Sequence, residues 1–404
     1  MIKYLTINFL FYTKICNLVI NNLLNNTSSV FMLADVLQKK LSSIKSKGLF
    51  RQLDTSIKLS NSRIVYKNGQ KLISFACNDY MDLANHYLVK KAAIDAINLY
   101  GVGVCASRLI TGNHILYKEI EEKLTKLYGT EAALVFSSGY LTNLGIISSL
   151  VNRQDMILAD KLIHASSIDG IKLSQATLYR FLHNDIDHCQ ELLNKYRKLH
   201  KHCLIIIENI YGMDGDLASV DDFIKLSKKY NAWIIVDTAH GFGQVTNLTP
   251  DIYVGTLSKI TGALGGYICS SKIVIEYIIN KARSFIYTTA IPPMIVAAAS
   301  SAIDIINKNK YIPINFARIF CKSLGLPEPQ SNIVPLIMKD INAALNAEQI
   351  LAKKGFLVTA IRPPTSPTPR LRFTFSTKHR LSDIQRLCKV LKEEQILDQG
   401  AVAQ

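Results

Sequence analysis

No two cysteines of the 404-residue sequence stand in CxxC spacing: the eight fall at positions 16, 77, 105, 189, 203, 269, 321 and 388. That argues against zinc ribbons and dithiol redox centres. It points to reduced thiols in a cytoplasmic setting, with no metal expected. Long apolar runs are also missing, so no segment is expected to cross a membrane. Acidic residues are scarce, 31 against 47 lysines and arginines, which leaves a net charge of +16. Such a surplus favours anionic partners. The lysines are scattered, however, without a dense basic run or interleaved aromatics. The surplus therefore reads as compositional bias, and no nucleic-acid partner is expected. Residues 1–31 contain no acidic residue and no arginine. They fit neither a secretory signal nor a mitochondrial presequence. They are expected to lie outside the fold, ahead of an internal start at Met32.

What is present describes a large globular enzyme. Hydrophobic residues make up 49% and charged residues 19% of the chain, and its length allows two domains. The stretch from Asp251 to Gly266 reads as a short apolar strand, a polar turn bearing Lys259, and then closely spaced glycines. A lysine confined among small residues sheds its proton more readily than a solvated one, which suits a Schiff base with an aldehyde cofactor. Upstream, Trp233-Ile-Ile-Val-Asp237-Thr-Ala-His240 is a buried-type strand ending in a carboxylate and an imidazole. Pyridoxal phosphate needs a carboxylate at its ring nitrogen and a lysine at its aldehyde. Asp237 and Lys259 could supply both from neighbouring strand ends.

The remainder supports this reading. Residues 32–53 carry apolar side chains at helical spacing. The order Ala133-Leu-Val-Phe-Ser-Ser-Gly139-Tyr140 predicts a strand, a turn and a helix start whose N–H groups can bind a phosphate. Apolar segments at 156–159, 176–181, 203–208, 232–237, 252–256 and 266–270 alternate with several helical stretches. That pattern predicts a mostly parallel α/β sheet with ligands beyond the strand C-termini. His164, Glu208, Asp237 and His240 all fall at or just beyond such ends.

Taken together, these motifs resemble the α-oxoamine synthases, a family of fold-type I pyridoxal-phosphate enzymes. The likeness runs from about Met32 to the last helix. It rests on Asn78-Asp-Tyr80, Ser107-Arg-Leu-Ile-Thr-Gly-Asn-His114, Ser138-Gly139, His164-Ala-Ser166 and Met213-Asp-Gly-Asp216. Further matches are Asp237-Thr-Ala-His-Gly241, Thr256-Leu-Ser-Lys259, Tyr287-Thr-Thr-Ala-Ile-Pro-Pro293 and Arg370-Leu-Arg372. His183-Asn-Asp185 and Thr359-Ala-Ile-Arg-Pro-Pro-Thr365 are similar to the member that condenses L-alanine with a pimeloyl thioester on the way to biotin. The acyl carrier is either coenzyme A or an acyl carrier protein.

The resemblance implies a division of labour. Lys259 bonds the cofactor and moves the substrate Cα proton, Asp237 pairs with the ring nitrogen, His240 with the phenolic oxygen, and His164 stacks on the ring. Gly139, Tyr140 and Thr256 hold the phosphate, joined by Thr289 from the other subunit of a homodimer. Glu208 and Gly212 lie beside the cofactor, and Arg51, Arg372 and Thr365 bind substrate, Arg372 as a bidentate carboxylate clamp. The implied domains are 32–75 as helix and linking segment, 76–294 as the large cofactor-binding domain with the mostly parallel sheet, and 295–404 as a smaller α+β domain.

Several positions depart from the family pattern. Asp82 and Cys105 stand where glycine is usual, Tyr117 where histidine is, Gly212 where serine is, and Thr238 where a second aspartate is. Two other readings stay open: a sister acyltransferase that uses glycine, and a non-catalytic basic protein on the same fold.

Overall fold

The computed structural model describes residues 33–58, 63–309 and 313–399. The chain divides into two compact units, Met1–Asp54 and Thr55–Gln404. In the first, residues 33–46 form the helix that the apolar spacing predicts. The proposed extension at 1–31 lies outside the described residues.

The second unit is built on a seven-stranded sheet. Its spatial order is Ala132–Phe136, Gly266–Ser270, Ile252–Thr256, Trp233–Asp237, Cys203–Glu208, Met156–Asp160 and Thr177–Phe181. The last five strands run parallel, whereas Gly266–Ser270 is antiparallel to both of its neighbours. Cys203–Glu208 is buried along its whole length. Both faces of a parallel sheet are covered, which is why this strand reads as an unbroken apolar run instead of an alternating one. One layer of core includes Leu134, Ile146, Ile157, Ile206, Ile235 and Ile268; the other includes Ile205, Ile207, Phe223, Ile234, Val236 and Tyr253. The apolar segments foreseen in the sequence are all strands of this sheet.

A three-stranded antiparallel sheet has Arg370–Thr374 at its centre, between Ile333–Ile337 and Thr359–Ile361. Ile73 and Phe75 pack into the cluster around Phe320, Leu351, Phe373 and Leu387. Strand Gln70–Ser74 pairs in parallel with Phe356–Leu357. The segment read as linking sequence before residue 76 is thus tied by backbone pairing and packing to the C-terminal strands and helices. Periodicity carries no signal for a pairing across nearly 300 residues.

Candidate active site

Parallel strands deliver their C-terminal residues to one edge of the sheet. Glu208 and Asp237 are register partners on adjacent strands, so their side chains leave the sheet on the same face. Lys259 follows three residues beyond the end of Ile252–Thr256. At this edge lies a cavity of about 730 Å³, lined by Ser138, Gly139, Tyr140, Asn143, His164, Glu208, Gly212, Asp237, His240, Thr256, Lys259 and Thr365, among others.

Lys259 Nζ lies 2.7 Å from His240 Nε2, and the Tyr80 hydroxyl lies 2.7 Å from His240 Nδ1. Burial holds the Lys259 ammonium below its ordinary pKa, opposed by Asp237 and Glu208 and assisted by Arg372. Burial, with Lys259, Arg372 and His164 nearby, keeps His240 well below the usual histidine value, so its ring is neutral. Burial raises the Glu208 carboxyl, the Asp237 charge adds to the rise, and Lys259 and the backbone hydrogen bonds from Gly212 and His164 oppose it. Those bonds measure 2.8 Å from His164 N to Oε1 and 3.4 Å from Gly212 N to Oε2. Glu208 therefore ties two cavity-lining loops together.

The Asp237 carboxylate accepts from Asn143 Nδ2 at 3.0 Å and from Ala239 N at 2.9 Å. Asn143 also donates to Ser166 Oγ at 3.1 Å, and its Oδ1 is buried without a partner. Ser166 Oγ lies 2.7 Å from His164 Nδ1, fixing the imidazole at the start of helix Ala165–Ser174. Desolvation pulls the His164 pKa down, with Asp237 opposing and Lys259 assisting.

Ser138 caps helix Gly139–Leu150 by accepting from Leu141 N at 3.2 Å. A Cβ on Gly266 would come within 2.6 Å of Gly139 N, so strand and helix start touch backbone to backbone. Thr256 Oγ1 donates to Gly265 O at 2.9 Å and lies 2.8 Å from Ser258 Oγ. Free first-turn N–H groups beside hydroxyls make an anion cradle.

Arg372 is buried at 5% exposure. Its Nε donates to Gly212 O at 2.6 Å, and its two Nη atoms lie 3.1 and 3.2 Å from Asn78 Oδ1. The guanidinium is thus braced from two sides. Arg51 belongs to the N-terminal unit, with Nη1 3.4 Å from Leu49 O. Thr289 is exposed, and its carbonyl accepts from Ser137 Oγ at 3.2 Å. It is not among the residues lining this cavity.

In the sequence Asn78 and Tyr80 stand within a motif that marks no role for either, and little there singles out Asn143. Their partners Arg372, His240 and Asp237 are 294, 160 and 94 residues away. The only local signal is that Asn143 lies one helical turn after Gly139.

The family departures acquire physical reasons. Asp82 and Cys105 have φ of 57° and 54°, the left-handed region where glycine costs least. The Tyr117 hydroxyl donates to Ile291 O at 3.0 Å, and Arg108 sits 4.0 Å over its ring. Thr238 joins a buried network in which its hydroxyl lies 2.9 Å from Tyr128 Oη and 3.0 Å from Tyr267 Oη.

Known proteins resemble this chain in sequence and fold. Residues 70–391 match the family Aminotransferase class I and II. The chain belongs to that family. A relative named 8-amino-7-oxononanoate synthase, from Methylocella silvestris, is 44% identical over 344 residues, covering 81% of this chain and 98% of its own. The solved 8-amino-7-oxononanoate synthase of Francisella tularensis is 29% identical, with a TM-score of 0.67 over 81% of this chain and 98% of its own. A solved "SPT with PLP" is 27% identical, with a TM-score of 0.83 over 91% and 99%. The residues of this chain fit pyridoxal phosphate. A lysine held toward its free base, a carboxylate oriented by Asn143, an unpartnered buried Asn143 Oδ1 and an N–H cradle at Gly139 stand around one cavity.

Proposed function

We infer that this chain is a pyridoxal-phosphate-dependent C-acyltransferase. It condenses L-alanine with a pimeloyl thioester to give 8-amino-7-oxononanoate, carbon dioxide and the free thiol, a step of biotin synthesis. The observation that carries this reading is the cavity joining Lys259, Asp237 and His164, in a chain related at 44% identity to a protein of that name.

When bound, the cofactor supplies an electron sink for the negative charge left on the substrate Cα. The remaining chemistry belongs to the protein. Lys259 Nζ, desolvated and held toward its free base, would hold the cofactor at its aldehyde and, once released by the substrate amine, would accept the Cα proton. Asp237, kept in place by Asn143 and Ala239, holds a proton on the ring nitrogen. His164 would pack against the ring, and His240 would hydrogen-bond the phenolic oxygen. The helix start at Gly139 and Tyr140, with Thr256, binds the phosphate. Arg372 presents a planar fork to the alanine carboxylate, a geometry lysine cannot reproduce. Thr365 binds substrate. Thr289 reaches the phosphate of the neighbouring subunit's cofactor in a cytoplasmic homodimer. Residues 76–294 act as the cofactor-binding domain and 295–404 as the smaller one.

The test is product identification by mass spectrometry, with L-alanine and pimeloyl-CoA as substrates. Formation of 8-amino-7-oxononanoate, lost in Lys259→Ala, is the expected result. Turnover of glycine with a shorter acyl thioester, and none of alanine, would move the function to a sister acyltransferase. Absence of protein-bound cofactor absorbance, after pyridoxal phosphate is added and the excess removed, would overturn the enzyme reading altogether.

A further inference from the structure

Gly212 stands where the resembling family carries serine, and the reason lies across the cavity. A Cβ on Gly212 would fall 2.2 Å from His240 Nε2 and 2.6 Å from its Cδ2. The imidazole therefore occupies space that any other residue at 212 would fill. In that position it bridges Tyr80 Oη at Nδ1 and Lys259 Nζ at Nε2, each at 2.7 Å. Tyr80 Oη lies also 3.3 Å from Asn78 Oδ1, the atom that receives both Nη groups of Arg372.

We propose that Tyr80 is a positioning residue that sets which ring nitrogen of His240 carries its proton toward or away from Lys259, in a geometry that glycine at 212 makes possible. The proposal rests on Lys259 being the reacting amine.

The hydrogen bonds allow two directions. When Lys259 is an ammonium it has only donors, so Nε2 must accept and the ring proton sits on Nδ1. Nδ1–H then donates to Tyr80 Oη, and the hydroxyl hydrogen turns to Asn78 Oδ1. When Lys259 is a free amine, Tyr80 O–H can donate to Nδ1 and the ring proton can sit on Nε2, aimed at the Nζ lone pair. Between the two states the ring moves one proton from Nδ1 to Nε2, and only the hydroxyl can serve both, because it alone donates or accepts by rotation. Tyr80 is 1% exposed and burial pushes its pKa up to about 12, so it stays a neutral rotor. The other titratable and charged groups facing these residues are Asp237, Glu208, Arg372, His164 and Cys77, and all stay in place in the variants below.

Replacing Tyr80 with phenylalanine leaves Nδ1 without a partner. A buried bare N–H costs more than a buried bare lone pair, so the Nε2–H tautomer and the free amine gain. The experiment uses the full-length chain before cofactor addition. Competitive acetylation of Lys259 is followed by mass spectrometry across pH, with the histidine ring nitrogens read by 15N resonance in parallel. Tyr80→Phe is expected to raise the Lys259 acid dissociation constant roughly threefold to tenfold and to shift His240 toward Nε2–H. In a Gly212→Ser background the ring is displaced, and Tyr80→Phe should then add nothing; Gly212→Ala serves if the serine variant does not fold. An unchanged Lys259 midpoint in folded Tyr80→Phe overturns the proposal, as does an equal Tyr80→Phe effect in the Gly212→Ser or Gly212→Ala background. Neither readout uses an acyl substrate. A failure of the proposed reaction is therefore seen separately, as missing product from the unmodified chain.

Discussion

At the scale of single residues, protons decide the outcome. Lys259 has its pKa lowered by burial, so in the window between that lowered value and the ordinary lysine pKa the unfolded chain holds a proton that the folded one has shed. Stability contributed by this group rises with pH across that window. Capture of pyridoxal phosphate, followed by stopped-flow absorbance, should accelerate with pH and level off below the ordinary lysine pKa of about 10.4. Lys259→Ala should show no such capture at any pH. His183 has the opposite sign. Burial lowers its pKa, but hydrogen bonds and charges from Asp160 and Asp216 overcome this and raise it to about 10. Its Nδ1 lies 3.0 Å from Asp160 and its Nε2 2.8 Å from Asp216, with the side chain 25% exposed. The stabilisation is fully present below the unfolded value and is lost as pH rises through about 10. After allowance for solvent screening, His183→Gln should cost about 2 kcal/mol at neutral pH. By urea titration, the gap to the parent should close as pH approaches 10.

At the scale of elements, strand ends and the turns after them carry the chemistry. The turn from Tyr211 to Asp216 is anchored at four places. Arg372 Nε holds Gly212 O, Arg370 holds Met213 O at 3.1 Å and the Asp214 carboxylate, and His183 holds Asp216. This joins three motifs that the sequence shows only as separate islands. Two other turns carry strain, since Asp82 and Cys105 are left-handed without being glycine. Asp82 is buried and lies 3.6 Å from Lys378, so relieving its backbone would also remove a charge contact. Cys105 is exposed, and Cys105→Gly should stabilise the chain by about 1 kcal/mol. In a chain of this length that corresponds to about 1–2 °C in a thermal melt.

At the scale of the whole molecule, the +16 net charge acts through its local distribution. Lys161, Lys172 and Arg180 line the cavity with Lys259 and Asp237, so in the proposed reaction an anionic acyl carrier would meet these cations. We expect kcat/KM for pimeloyl-CoA to fall threefold to tenfold between roughly 0.05 and 0.5 M salt, with kcat unchanged. A salt-independent kcat/KM would mean that these cations do not meet the carrier. Among the described residues no helix is long and apolar enough to cross a membrane.

The sequence by itself determined the strands of the central sheet, because burial on both faces writes itself as unbroken apolar runs, and it marked Lys259, Asp237, His164 and His240 as candidates, because polar residues interrupt those runs only at their ends; all four line one cavity. Tertiary structure decided what no local period encodes. It showed that Asn143 orients Asp237, that Asn78 braces Arg372, and that strand Gln70–Ser74 pairs with Phe356–Leu357. It also gave the odd glycine its reason: Gly212 is a spacing requirement of His240, visible only once two strand ends 28 positions apart in the chain face one another. Local propensity acts over a few residues, whereas side-chain contacts at a sheet edge depend on the order in which strands are laid down, and that order is a property of the folded core.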